Sequence, residues 1–276
     1  MINSIKTIIW LGLSGSLFAC KNKQNNTPTI KKDSVVVKAV LKPGDPMKLD
    51  SSKRYIYLTW DDSPQPPGTT VCKSVFHQQG VKATFFVVGG NQVGPHKTRI
   101  VDSLRNAYPE FLMANHSFSH ANINGKDNYG LFYKRADSAV VDFLKNETAL
   151  QVGVKIIRLP GNNAWAGKGK IQGPKSTLEV CKRLDSLGYK IIGWDIEWNQ
   201  SKAAPKESVA EMVKKVNDKF ESGYTYEQNC LVILSHDRLF AKPQYADSLS
   251  KFISILKQDP RNVFETIDHY PLVMRK

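Results

Sequence analysis

Asp61-Asp62, His116 with His120, Arg158, Glu197 and His236 are the residues of this chain whose types and positions could do chemistry. His116 and His120 stand four residues apart, so on one face of a helical turn both imidazoles reach a single metal ion. Asp61 and Asp62 close the run YIYLTW and precede Ser63-Pro64; such a pair can act as base or ligand, or end a strand as solvated turn carboxylates. Arg158 lies in the apolar run KIIRL, where a buried guanidinium needs a carboxylate partner, and Asp61 is the candidate. His236 follows LVILS, and Glu197-Trp198 follows YKIIGW and Asp195. Taken singly, Trp198 reads as a core residue, and His236 fits a structural role as well as a chemical one.

Positioning these groups requires a regular frame, and the chain has one. Strand-like runs at 55–60, 83–89, 111–115, 155–159, 189–194, 231–235 and 263–267 alternate with helix-like segments at 69–79, around 100–104, and at 129–150, 175–187, 206–221 and 244–257. Seven strands separated by helices imply a parallel sheet in an α/β domain. The pattern alone admits an open doubly wound sheet or a closed barrel. Either architecture gathers function at the carboxyl ends of its strands. That is where Asp61-Asp62, His116–His120, Pro160-Gly161, Glu197 and His236 fall, so one rim collects three of the six histidines with several carboxylates.

Composition narrows the class further. Of 276 residues, 41% are hydrophobic, 10% aromatic and 23% charged, which excludes a disordered chain. A net charge of +14 suits an anionic envelope surface, but the Lys and Arg are scattered and no recognition motif accompanies them, so nucleic acid is not expected as a partner. No protein partner is evident. Residues 1–19 have the layout of an export signal, with Lys6 before a short apolar stretch. Leu17-Phe18-Ala19-Cys20 resembles a bacterial lipobox, which makes Cys20 the expected lipidation site and the membrane an expected partner through that lipid. Residues 20–53 then read as the lipidated Cys and a polar linker, and 54–276 as a single catalytic domain. The expected location is the cell envelope, facing the periplasm or exterior. Cys72, Cys181 and Cys230 lack C-x-x-C spacing and are expected to be small buried residues.

In order along the chain, these motifs resemble those of the polysaccharide deacetylases of carbohydrate esterase family 4, the NodB homology domain. Thr59-Trp60-Asp61-Asp62-Ser63-Pro64 is similar to T-F-D-D-G-P, and His116-Ser117-Phe118-Ser119-His120 to H-[ST]-x-x-H. Arg158-Leu159-Pro160 fits R-x-P, Glu197-Trp198 stands in place of Asp-Trp, and Leu234-Ser235-His236 fits L-x-H. The resemblance implies a distorted (β/α) barrel of about seven parallel strands. It also implies a divalent metal, typically zinc with cobalt or nickel as alternatives, on Asp62, His116 and His120. Asp61 would be the base, oriented by Arg158. His236 would be the acid, held as an imidazolium by Glu197 and covered by Trp198. Pro160, Gly161 and Leu234 would bind substrate, although Gly161 in place of an aromatic removes one wall of the acetyl pocket.

The implied reaction is removal of N-acetyl groups from a glycan such as peptidoglycan or a chitooligosaccharide. O-deacetylation of a polysaccharide such as xylan is the alternative within that chemistry. A catalytically silent glycan-binding lipoprotein is the alternative outside it.

Overall fold

The computed structural model describes residues 47–275; the stretch 1–19 expected to be an export signal and Cys20 lie outside the described residues. The central strand, Arg54–Ser63, pairs in parallel with Cys230–His236 on one side. On its other side its first residues pair with Asn262–Phe264 and its last with Ala83–Val87. The sheet continues in parallel through Phe111–Asn115, Ile156–Ile157 and Lys190–Ile191. Ile196–Glu197 lies at the opposite edge, beyond Cys230–His236.

Lys190–Ile191, the last of the parallel strands on that side, and Ile196–Glu197, at the opposite edge, are consecutive strands in the chain, so residues 192–195 close the circle covalently where a strand ladder would otherwise run. The Ile192 N–H donates to Ile157 O (2.9 Å) and the Asp195 N–H to Val232 O (2.9 Å), one bond to each side of the seam. The result is the expected distorted barrel with helices outside it. The run 189–194 reads as one strand because it is apolar, yet only its second and third residues join the ladder; the rest crosses the seam.

Alternation along the central strand sorts its residues between two cores. Ile56, Leu58 and Trp60 pack outward under the helices Gly68–Gln79 and Pro243–Leu256, with Cys72, Phe76, Phe252 and Ile253. Tyr55 and Tyr57 point inward with Phe86, Leu112, Ile156 and Val232. Ile267 and Tyr270 of the C-terminal segment belong to this inner cluster, and Tyr57 Oη donates to His269 O (3.1 Å). Met47 and Leu49, from the stretch expected to be linker, also pack against it. The next two inward positions are Thr59 and Asp61, so the strand delivers a carboxylate to the mouth of the barrel. The three cysteines are free and buried.

One expected element changes in detail, and one unexpected element is added. The long helical stretch 129–150 breaks into Tyr129–Lys134 and Ala136–Leu150 because Arg135, at φ −98° and ψ 67°, leaves the helical region. The antiparallel hairpin of Trp165–Gly167 and Lys170–Gln172 adds to the Lys190–Ile191 edge. Helix Val209–Ser222 starts on a capping box between Ser208 and Glu211, the S-x-x-E pattern visible in the sequence.

Candidate active site

Adjacent residues in a strand normally face opposite sides of the sheet, yet Asp61 and Asp62 both line one cavity of about 710 Å³. The register against Ala83–Val87 shifts between Trp60 and Ser63, and Asp62 has φ +70°. A bulge of this kind re-aims a side chain, and Asp is among the residues that tolerate the left-handed region. The conformation costs roughly 1–3 kcal/mol and is held by what surrounds it. Asn91 Nδ2 donates to Asp62 O (3.0 Å), and Ser63 Oγ donates to Asp237 Oδ2 (2.8 Å).

His116 and His120 reach the same cavity, but not from a helical turn. Residues 116–120 form an irregular loop after the strand Phe111–Asn115, with positive φ at Ser117 and His120. Asp142 Oδ1, on helix Ala136–Leu150, accepts from the N–H groups of Phe118 (2.8 Å) and Ser119 (3.1 Å). Asn115 Oδ1 accepts from the Ser117 N–H (2.9 Å) and from Asn146 Nδ2 (2.8 Å). These acceptors replace the bonds that a helix would have made within itself. Nothing in the local motif announces Asp142 or Asn146, which lie more than twenty residues downstream.

One ligand atom each from Asp62, His116 and His120 lie within 4.8 Å of one another. Asp62 Oδ1 is 3.0 Å from His120 Nε2 and 3.6 Å from His116 Nε2. Zinc–nitrogen and zinc–oxygen bonds of 2.0–2.1 Å in a tetrahedron put donor atoms about 3.3 Å apart, between those two values. His116 Nδ1 is 3.0 Å from Arg158 O, which places its proton there and turns the Nε2 lone pair to the cluster. Asp62 Oδ1 is buried without a hydrogen-bond donor. Burial raises the Asp62 pKa, but the adjacent imidazoles of His116 and His120 outweigh it and hold the carboxyl well below the ordinary range. A deprotonated oxygen and two imidazoles suit a divalent cation of the zinc type.

Arg158 is wholly buried inside the barrel mouth. Nη1 donates to Asp61 Oδ1 (2.9 Å) and Thr59 Oγ1 (2.7 Å), Nε to Ile192 O (3.1 Å) and Nη2 to Gly193 O (2.7 Å). The guanidinium also lies 4.3 Å from the Phe86 ring centre. Burial lowers its pKa somewhat, against the opposing pull of Asp61. Asp61 Oδ1 is thereby fixed, and Oδ2 faces the ligand cluster, 3.5 Å from His116 Nε2.

Leu234, Gly161 and Glu197 line the cavity, as does His236, whose Nε2 is 3.9 Å from Asp62 Oδ2. Pro160 sits behind the wall, its carbonyl accepting from Tyr133 Oη (2.7 Å). The wall expected to be missing at Gly161 is supplied from elsewhere. Gly161 has φ +64°, and a Cβ there would fall 2.8–2.9 Å from the Tyr129 ring, which packs against it and meets His120 edge-on. The break at Arg135 in the expected long helix creates the short helix that carries Tyr129.

Two expected contacts differ. Glu197 does not hold His236, because His236 Nδ1 is buried with no hydrogen-bond partner. Burial pushes the His236 pKa down, with Arg238 adding to the effect against Asp62 and Asp61, which reverses the expected upward shift. Glu197 itself is pushed up by burial and by the charges of Asp61 and Glu207. Trp198 does not cover His236: its indole is buried in the outer core between Phe240 and Phe252, and Nε1 donates to Glu207 O. Trp194, four residues earlier, is the tryptophan that lines the cavity.

Sequence reasoning also passed over Arg238, which ion-pairs with Asp62 Oδ2 while Gln200 Oε1 accepts from its Nε (3.3 Å) and Nη2 (3.0 Å). Asp237, beside it, is fully buried and accepts hydroxyl bonds from Ser63 and Thr69 on Oδ2. Burial pushes its pKa up to about 7, opposed by those bonds and raised further by Asp62. A folded pKa above the unfolded value means that stability falls as pH rises from about 4 through 7. Asp237→Asn keeps an oxygen acceptor and removes the charge, so its melting temperature should decline less between pH 5 and pH 8 than that of the parent. Parallel declines in thermal scans would refute the assignment.

With this geometry in place, comparison with known proteins is specific. Residues 48–160 match the family model for polysaccharide deacetylase. That stretch belongs to the polysaccharide deacetylase family. A chitooligosaccharide deacetylase from Rhizobium leguminosarum bv. trifolii is 31% identical over 150 residues, covering 53% of this chain. The chain spans 59% of that relative's length. A Streptococcus mutans CE4 esterase superposes with a TM-score of 0.58 at 23% identity, over 78% of this chain and 86% of its own. The catalytic domain of a peptidoglycan N-acetylglucosamine deacetylase from Eubacterium rectale gives 0.56 at 20% identity, over 83% and 95%. These likenesses show that the domain has the barrel fold of those structures.

Proposed function

We propose that this protein is a metal-dependent hydrolase that removes N-acetyl groups from an envelope or extracellular glycan, peptidoglycan or chitooligosaccharide in type. The observation that carries the reading is Asp61, locked by Arg158 at one oxygen and free at the other, beside three convergent ligand atoms. The match of residues 48–160 and the chitooligosaccharide deacetylase relative support it. The chemistry that a divalent cation supplies when held by Asp62, His116 and His120 is polarisation of the acetyl carbonyl and acidification of water.

The chain's own residues do the rest. Asp61 Oδ2 takes the proton of the attacking water, while Arg158 keeps Oδ1 engaged so that the carboxylate cannot rotate away. His236 Nε2 gives a proton to the departing nitrogen as the C–N bond breaks. Acetate and a free amine leave. Tyr129, Leu234 and Gly161 bound the space for the acetyl group.

Acetate release should be measured from peptidoglycan, N-acetylated chitooligosaccharides and acetylated xylan with added zinc. Release from either N-acetylated substrate is the expected result. Release from xylan alone would replace the reading by ester hydrolysis, and no release from any would leave a glycan-binding protein.

A further inference from the structure

The two imidazoles of the ligand cluster are held from behind in different ways. His116 Nδ1 meets the Arg158 carbonyl (3.0 Å), where both residues are buried and the contact is to backbone. His120 is more open, with 19% of its side chain exposed, and its Nδ1 meets a side chain instead. Asp127 Oδ2 lies 3.5 Å from that nitrogen, while Nε2 of the same ring lies 3.0 Å from Asp62 Oδ1. The ring therefore stands between two carboxylates, one inside the cluster and one outside it. An imidazole that gives its Nδ1 proton to an outer carboxylate keeps the Nε2 lone pair free for a cation.

Asp127 belongs to none of the motifs at the strand ends. It is delivered by a small antiparallel hairpin in which Asn122–Ile123 pairs with Lys126–Asp127. Asn124 and Gly125, at φ +54° and +84°, make the two-residue turn, and Asn-Gly is the pair that suits such a turn. Asn122 Oδ1 accepts from the Gly125 N–H (2.9 Å), and the Asn128 N–H donates to Ala121 O (3.0 Å), which closes the base. Asn128 then caps helix Tyr129–Lys134, its Oδ1 accepting from the Leu131 N–H (3.0 Å). Tied at its tip and its base, the hairpin returns Asp127 to His120. Tyr129 Oη lies 3.5 Å from the same Asp127 Oδ2, and the Tyr129 ring meets His120 edge-on. Asp127, Tyr129 and His120 all line the cavity, whereas Lys126, next to Asp127 in the strand, does not.

We infer that Asp127 is a positioning residue for His120: its carboxylate fixes the direction of the imidazole, so an exposed hairpin sets how tightly the cluster holds a divalent cation. The inference rests on the ligand set of the proposed metal-dependent reading. Zinc affinity should be measured by competition with a chromogenic chelator for the parent, Asp127→Ala, Asp127→Asn and Lys126→Ala. Asp127→Ala should weaken zinc binding about 10–100-fold, the usual cost of removing the partner behind a ligating histidine. Asp127→Asn keeps an oxygen that can accept from Nδ1 and should lose less than Asp127→Ala. Lys126→Ala alters the same strand without touching His120 and should bind zinc as the parent does. With the metal stripped by excess chelator, all four proteins should melt at the same temperature, because the substituted side chains are exposed.

Zinc binding by Asp127→Ala as tight as that of the parent overturns the inference and leaves the ligand set standing. A loss in Lys126→Ala as large as that in Asp127→Ala also overturns it, since the shape of the hairpin and not the carboxylate would then matter. A parent protein without zinc affinity overturns both the inference and the metal-dependent reading. Asp127-dependent zinc binding in a protein that releases no acetate upholds the inference and overturns the deacetylase reading.

Discussion

Replacing both His116 and His120 by alanine is expected to abolish stoichiometric divalent-metal retention and, with it, acetate release. Each substitution removes one of the three ligand atoms brought together among the described residues. Asp61→Asn is expected to behave differently. The amide oxygen can still accept from Arg158, and Asp61 is not in the ligand set, so metal content should stay near that of the parent while the rate falls on the order of 10²–10⁴-fold, the usual size of a lost general base. Metal analysis after dialysis, paired with a rate assay, separates the two. Full metal occupancy in the double histidine variant would remove the ligand assignment. Loss of metal from Asp61→Asn would make Asp61 a ligand and not a base.

The second large effect is on folding. Arg158→Met should lower stability by about 3–5 kcal/mol, because it strands the buried Asp61 carboxylate without its charge partner. It also strips donors from Thr59 Oγ1 and from the carbonyls of Ile192 and Gly193. Denaturant unfolding of the two proteins measures the difference. A loss below about 1 kcal/mol, the range of an exposed pair, would show that the guanidinium is not the centrepiece of the barrel mouth. Because the Ile192 and Gly193 carbonyls belong to the seam, Arg158→Met should also loosen the wall carrying Trp194, seen as a change in tryptophan emission at low denaturant.

What the sequence made legible was the frame and the residues at its strand ends. Apolar runs of strand length with Asp61, His116, Arg158 and His236 at or beside their ends are a one-dimensional image of a barrel rim. What it hid depends on contacts between distant segments. Four-residue spacing made a helical turn the natural reading of His116–His120, but a loop can present the same two imidazoles when Asp142 and Asn115 satisfy its backbone. Tyr129 fills the side of Gly161 through a helix more than thirty residues upstream, which no local pattern encodes. Glu197 and Trp198 were legible as a pair but not in direction: the strand sends Trp198 into the outer core and leaves Glu197 at the cavity. Arg238 passed unnoticed because an arginine just beyond a strand ordinarily faces water.

The seam at residues 192–195 bears on how such a domain can diversify. Inserting one residue into a paired strand flips every later side chain to the opposite face, and in Arg54–Ser63 that would turn Asp61 away from the barrel interior. Ile192 and Gly193 are tied to Arg158 and Asp195 to Val232, so length change fits only at the short link around Trp194, where no strand register is disturbed and a longer connection costs only a fraction of a kcal/mol in closure entropy. Insertions and deletions there would reshape the border formed by Trp194 and Glu197 while the pairing of Asp61 with His236 across the central ladder stays in step. The barrel thus keeps its tolerance for length change in the wall of the cavity and not in the strands that carry Asp61 and His236.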